Sequence, residues 1–299
     1  MTKRWFVVPF LVALVTLSTD LLAQSGSPRF PWGAPDLQGI WLYWTSTPLE
    51  RPEEFGDKAV VSAEEAAAYV ARRHEEVGGR LSGDWNPLTG LLNGRTSLLI
   101  DPPTGKLPAR TEAGQFRKDT LDPPMDRRAA NRPEDRERWE RCIMGRSVPF
   151  LAQPWDQRLQ ILQTPNHVAI KDEEGELRLI PVTDQPRLPE AIRQWAGSSR
   201  GHWEGGTLVV ETTNFNDKWS LEGAGAQMRL VERFTRTAAR TLDYEYTVHD
   251  AESFVGPWTV KFPMILDPGP IYETACHEGN YSLVLILSGG RAVERETHK

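Results

Sequence analysis

Residues 228–249, MRLVERFTRTAARTLDYEYTVH, decide how the chain folds. Successive side chains of a strand point to opposite faces, so every second residue shares an environment. In the first arm Leu230, Glu232, Phe234 and Arg236 fall on one face, and Arg229, Val231, Arg233 and Thr235 on the other. In the second arm Leu242, Tyr244, Tyr246 and Val248 form an apolar face against Asp243, Glu245, Thr247 and His249. The two arms read as a β-hairpin. With Leu230 and Phe234 turned inward, Glu232 becomes a buried carboxylate, which needs a charged or hydrogen-bonding partner or its pKa rises. Arg236, four residues on and on the same face, is the partner the sequence offers. Such a carboxylate suits either a general acid or base in a barrel interior or a structural Glu–Arg pair.

The same period extends outward from the hairpin. Residues 158–164, 167–171, 176–182, 201–203, 207–213, 258–266, 271–278 and 281–287 read as strands, and residues 36–45 as a first strand upstream. The turns at Asp172–Gly175 and Glu204–Gly206 are short, and Pro189 to Trp195 reads as a short helix stopped at Gly197. The expectation is a mainly β domain, an antiparallel meander closing as a calycin/lipocalin-like barrel or a sandwich, since either arrangement shields strand edges. Gly39-Ile40-Trp41 matches the GxW that opens the first strand of lipocalin-like barrels, and places Trp41 in the core.

Upstream, Ser62 and Glu65 have the spacing of a capping box and open a helix over 62–77. Residues 80–130 read mostly as a long wrapping loop, with a short strand near Leu98–Ile100. Pro133 begins a second expected helix over 133–143, with Trp139 and Cys142 on one face.

The N-terminus carries Lys3 and Arg4, an apolar run from Trp5 to Leu17, and Leu21-Leu22-Ala23. That order is expected of a cleaved secretory signal over residues 1–23, the run being short for a membrane span; an uncleaved anchor is the alternative. The expected layout is then a tether over 24–35, one β-rich domain over 36–291 and a tail over 292–299. Residues 1–23 carry a net charge of +1, so their loss takes the formal charge from −6 to −7. A mildly acidic chain argues against a nucleic-acid partner. Export would favour a disulfide between the two cysteines, Cys142 and Cys276; two buried thiols are the alternative.

Several chemistries lack their signatures. The six histidines, His74, His167, His202, His249, His277 and His298, contain no pair at i, i+2 or i, i+4. Neither HExxH, CxxC nor a glycine-rich phosphate loop occurs, so no metal and no cofactor is expected. The remaining candidates for proton transfer are Glu232, His277, Glu278 and Glu211. The stretch Ala275–Tyr281 concentrates polar groups, although adjacent His277 and Glu278 would face opposite ways on a strand. Arg200 is the candidate for holding an anionic group. Trp203, Asn280, Tyr281 and Arg236 complete the candidate substrate pocket.

The strings DLQGIW, TPLERP, ERCI, QTPNHVAI, RLIPV, SRGHWEGGTLVVETTNF, VERFTR, PWT and ACHEGNY resemble a widespread, uncharacterised family of exported bacterial proteins, from about Asp36 to Arg291. The resemblance implies export, periplasmic or extracellular, and a shared fold, and implies no activity. The family pattern reads SRGRWEGDTL, where this chain has His202 and Gly206 at the Arg and Asp positions. A histidine–acid pair of the family is replaced here by Gly175 and Glu176.

Three functions fit these observations. The first is an exported barrel enzyme using cofactor-independent acid–base chemistry on a small organic molecule, as a lyase, isomerase or hydrolase. The second is a non-catalytic carrier of a hydrophobic ligand. The third is an envelope structural or interaction protein with a filled core. An open cavity with convergent ionisable groups would favour the first, a dry apolar cavity the second, and no cavity the third.

Overall fold

A computed structural model describes residues 28–78, 90–124, 127–143, 148–153 and 157–297. The signal segment over 1–23 lies outside them. The elements in order are β1 (Gly39–Tyr43), α1 (Ala63–Gly78), β2 (Leu99–Asp101), α2 (Glu112–Leu121), β3 (Gln157–Gln163), β4 (His167–Asp172), β5 (Leu177–Pro181), β6 (Ser198–Glu204), β7 (Thr207–Thr213), β8 (Arg229–Ala238), β9 (Thr241–His249), β10 (Trp258–Asp267) and α3 (Tyr281–Thr297). The strands form one antiparallel sheet in the order β5-β4-β3-β1-β10-β9-β8-β7-β6, with β2 added beside β10. The sheet curls until its ends approach, giving a nearly closed barrel.

The hairpin β8–β9 lies as its alternation requires, with Leu230 against Val248, Glu232 against Tyr246 and Phe234 against Tyr244. Leu230, Glu232, Phe234, Leu242, Tyr244, Tyr246 and Val248 are all buried. Trp41 is fully buried, and its indole N–H donates to Leu37 O at 2.9 Å. Gly39 allows that placement: its φ is +138°, and a Cβ there would lie 2.6 Å from a methyl of Leu266.

The seam between β5 and β6 positions much of the interior. Nine alternating strands leave the first and last pointing the same way, and no ladder joins them. Side chains close the gap instead. A Cβ on Gly201 of β6 would lie 2.8 Å from Val182 Cγ1 and 3.1 Å from Ile180 Cγ2, so glycine lets the strands approach. Arg178 of β5 crosses the interior to β8, touching Ser199 of β6 and Thr212 of β7 on the way.

Five expectations are corrected. Residues 133–143 form one 3-10 turn, Pro133–Asp135, followed by further turns rather than a helix. Arg136 spends its guanidinium on the carbonyls of Arg128 and Ala129 and on Glu140, and Cys142 has φ +53°, which a helix excludes. Residues 189–195 are irregular because the Asn214 side chain takes the carbonyls of Pro189 and Ile192 that a helix would use. Residues 271–280 are not a strand, and 281–287 belong to α3, which also occupies most of the expected tail. A short apolar run does not distinguish strand from helix by period; the deciding signal is Asn280, whose side chain accepts from Leu283 N at 3.4 Å as a cap would. Finally α2 stands within the expected long loop, capped by Thr111 on Gly114 N at 3.1 Å.

The helix at 62 starts as expected. Ser62 Oγ accepts from Glu65 N at 3.1 Å, and Glu65 accepts from Ser62 N at 3.0 Å. Its buried residues join a small cluster of Phe55, Val61, Ala66, Tyr69 and Leu91, separate from the barrel core. Cys142 and Cys276 form a disulfide that pins the segment after β10 to the turns near Trp139.

Candidate functional site

The sequence-derived candidates do not meet. Glu232 is inside the barrel with no exposed surface. Its partner is Arg178, not Arg236: Arg178 donates from both terminal nitrogens, at 3.0 Å to Oε1 and 2.6 Å to Oε2. Tyr244 adds a third bond to Oε1 at 2.7 Å, and its hydroxyl accepts from Phe150 N at 3.1 Å. Burial alone would lower the pKa of Arg178, but the Glu232 carboxylate more than offsets it, so the guanidinium stays firmly charged. Arg236 lies over the Trp41 ring, 5.5 Å from its centre, and donates to the carbonyls of Asp36 and Ala239. It closes one end of the barrel rather than balancing Glu232.

Glu211 sits half-exposed on the outer face of β7, paired with Arg187 and Arg229. His277 and Glu278 are exposed in the turn before α3. Arg200 gives its guanidinium to the carbonyls of Ser199 and Pro186. Trp203 packs half-buried against the core. Asn280 donates to Glu140 O and to the sulfur of Cys142, and Tyr281 is 74% exposed. Among the described residues no group of His, Cys, Asp and Glu is arranged to hold a metal ion.

The structure offers a different site. A cavity of about 330 Å³ lies between α1 and the barrel. Tyr246, Trp258 and Val260 from β9 and β10 line it, together with Leu98, Leu151 and Leu221. From α1 come Tyr69, Val70 and Arg73, and the segments Thr45–Leu49 and Gln153 complete the wall. The strand pairing of Tyr246 with Val260 sets two of these residues side by side, and the Tyr246 and Trp258 rings meet edge to face at 5.9 Å. The wall is held by local bonds. Thr45 N donates to Gln153 O at 2.8 Å, Thr47 N donates to Thr45 Oγ1 at 2.9 Å, and Leu92 N donates to Thr47 Oγ1 at 2.8 Å.

One arginine and one glutamate among the described residues border this cavity. Arg73 is exposed. Glu222 is already bound by Arg110 at 3.0 Å and Lys118 at 2.9 Å. By contrast the Tyr246 hydroxyl and the Gln153 side-chain amide make no hydrogen bond among the described residues, and neither do the buried Ser46 hydroxyl and Trp258 indole N–H in the same lining. Burial, then the charges of Glu222 and Glu232, push the Tyr246 phenol far above its ordinary pKa, so it is a hydroxyl at any physiological pH.

Sequence reading placed Tyr246 inside but did not mark it as a site residue. The cavity is built largely from irregular segments and one helix, which alternation does not position. The signal available was the end of β1 in Thr45-Ser46-Thr47-Pro48, where polar residues and a proline stop a strand beside the core. Comparison of the chain with protein-family models, with curated proteins and with solved structures finds no match, so the site is defined by its geometry alone.

Proposed function

We propose that this protein binds a small, largely apolar organic molecule in the cavity between α1 and the barrel, and that it acts after export. One observation carries the binding reading: a preformed cavity of about 330 Å³ whose wall is mostly aliphatic and aromatic, with a few polar groups set into it. Small-molecule sites have this character and fall in this range of sizes, from about 300 Å³ upward. The export reading is supported by the N-terminal pattern and by the Cys142–Cys276 disulfide, which suits an oxidising compartment.

Binding without chemistry fits the site better than catalysis. The four residues suited to proton transfer lie apart, and the buried one, Glu232, is fully engaged by Arg178 and Tyr244. At the cavity, Glu222 is neutralised by two cations and Arg73 is exposed. Among the described residues no nucleophile–base pair converges there.

The test is titration calorimetry of the purified protein with tetralin, a neutral bicyclic hydrocarbon. Saturable one-to-one binding is expected, and Val70→Trp, which fills the cavity from the half-buried face of α1, abolishes it while the circular dichroism spectrum stays unchanged. Binding that survives this substitution would place the ligand elsewhere.

A further inference from the structure

We infer that the natural occupant of this cavity is a neutral molecule whose apolar body carries a carbonyl-class oxygen, and that Tyr246 and Gln153 are the residues that select it. The inference rests on the binding reading above and names the ligand class for the same site.

Size comes first. A dry apolar cavity of about 150 Å³ takes benzene. The cavity here, at about 330 Å³, is roughly twice that and fits a body of two fused rings or an aliphatic chain of similar bulk.

Charge comes second. A carboxylate or phosphate leaving water for this cavity would lose its hydration, and such a loss is tolerated only beside a paired counter-charge. The cationic side chain in the lining, Arg73, is exposed, and the cations nearest Glu222 are already committed to it. An ammonium ligand meets the same obstacle in reverse, because Arg110 and Lys118 occupy the Glu222 carboxylate. A neutral ligand avoids both costs.

Polarity comes third. A pure hydrocarbon filling the cavity would strip water from the Tyr246 hydroxyl and the Gln153 amide and give nothing back. A buried donor left in that state costs more than a made hydrogen bond gains. The Tyr246 hydroxyl stays protonated, so it always has a hydrogen to donate. Ketone, ester and amide oxygens accept such a bond without bringing charge.

Three probes of similar size separate the outcomes: tetralin, 1-tetralone and 1-naphthoate, titrated calorimetrically into the wild type and into Tyr246→Phe. In the wild type 1-tetralone binds more tightly than tetralin, and 1-naphthoate binds weakest. In Tyr246→Phe the ratio of tetralone to tetralin affinity falls about tenfold, the upper range for one neutral hydrogen bond, while tetralin affinity holds or rises. Comparing the ratio between the two proteins removes the difference in hydration between the two probes. An unchanged ratio, or 1-naphthoate as the tightest ligand, overturns the ligand class and leaves the cavity reading standing. Absence of saturable binding by all three overturns the cavity reading and this inference with it. The wild-type rank of 1-naphthoate tests the neutrality of the ligand even where the variant is poorly folded.

Discussion

Tyr244 and Tyr246 are two residues apart on the same face of one strand, and both are almost fully buried. Tyr244 donates to Glu232 and accepts from Phe150 N, and its ring packs among Phe150, Phe234 and Phe262. Tyr246 forms no hydrogen bond among the described residues and lines a cavity. The difference lies in what stands opposite. Around Tyr244 the barrel is filled with aromatic rings, and a charged pair ties β5 to β8 across the open seam. Around Tyr246 the neighbours are a helix with its own small cluster and irregular segments that stop short of filling the space. One layer of the interior holds the barrel shut, and the next leaves a cavity.

The strongest way to break this comparison is to disturb the closed layer. Glu232→Gln leaves the Arg178 guanidinium buried, 4% exposed, without its counter-charge. Such a loss costs about 3–5 kcal/mol. Chemical unfolding followed by intrinsic fluorescence should show a matching fall in midpoint with little change in slope. The double variant Arg178→Met/Glu232→Leu should recover most of the loss, because it removes both desolvated charges. A single variant as stable as the wild type would mean that the pair does not hold the seam.

How much of this was legible in the sequence follows from the same residues. Glu232 was placed inside because it alternates with Leu230 and Phe234, and the inner faces of β8 and β9 came out as read. Its partner was not legible. Arg178 comes from a strand at the far end of the sheet, and alternation specifies which way a side chain points but not which strands meet across a seam. Arg236 looked right only because it was near in sequence. The cavity was hidden for a related reason: its walls come from residues 45–49, 151–153 and 221–222, where no period operates. The misread strand at 281–287 shows the limit of an apolar run too short to declare its period.

Alkaline titration tests both layers at once. Tyr43, Tyr244 and Tyr246 all have phenol pKa values raised above the ordinary value, each first by burial and then by nearby carboxylates. A folded-state pKa above the unfolded one gives stability that is complete below the unfolded value, near 10, and is lost as pH rises beyond it. Each group removes about 1.4 kcal/mol per pH unit in that window, so three together remove about 4 kcal/mol at pH 11. Absorbance of tyrosinate measured beside circular dichroism should show these three ionising only as the chain unfolds. Their ionisation in a chain with native circular dichroism would mean that the interior is wet.

The two tyrosines themselves give the smallest and sharpest contrast. Tyr244→Phe leaves Phe150 N–H without its acceptor and takes one donor from Glu232 Oε1, so it should destabilise by about 1–3 kcal/mol. Tyr246→Phe removes a hydroxyl that has no partner among the described residues, and the ring contact with Trp258 remains. Its effect on stability should stay within about 0.5 kcal/mol of zero, since no hydrogen bond is lost and no cavity is created. The same one-atom deletion therefore separates a hydroxyl engaged by the fold from one that lines the cavity. Equal losses from the two variants would show that Tyr246 is tied into the fold after all, and that its position beside the cavity has no bearing on what enters there.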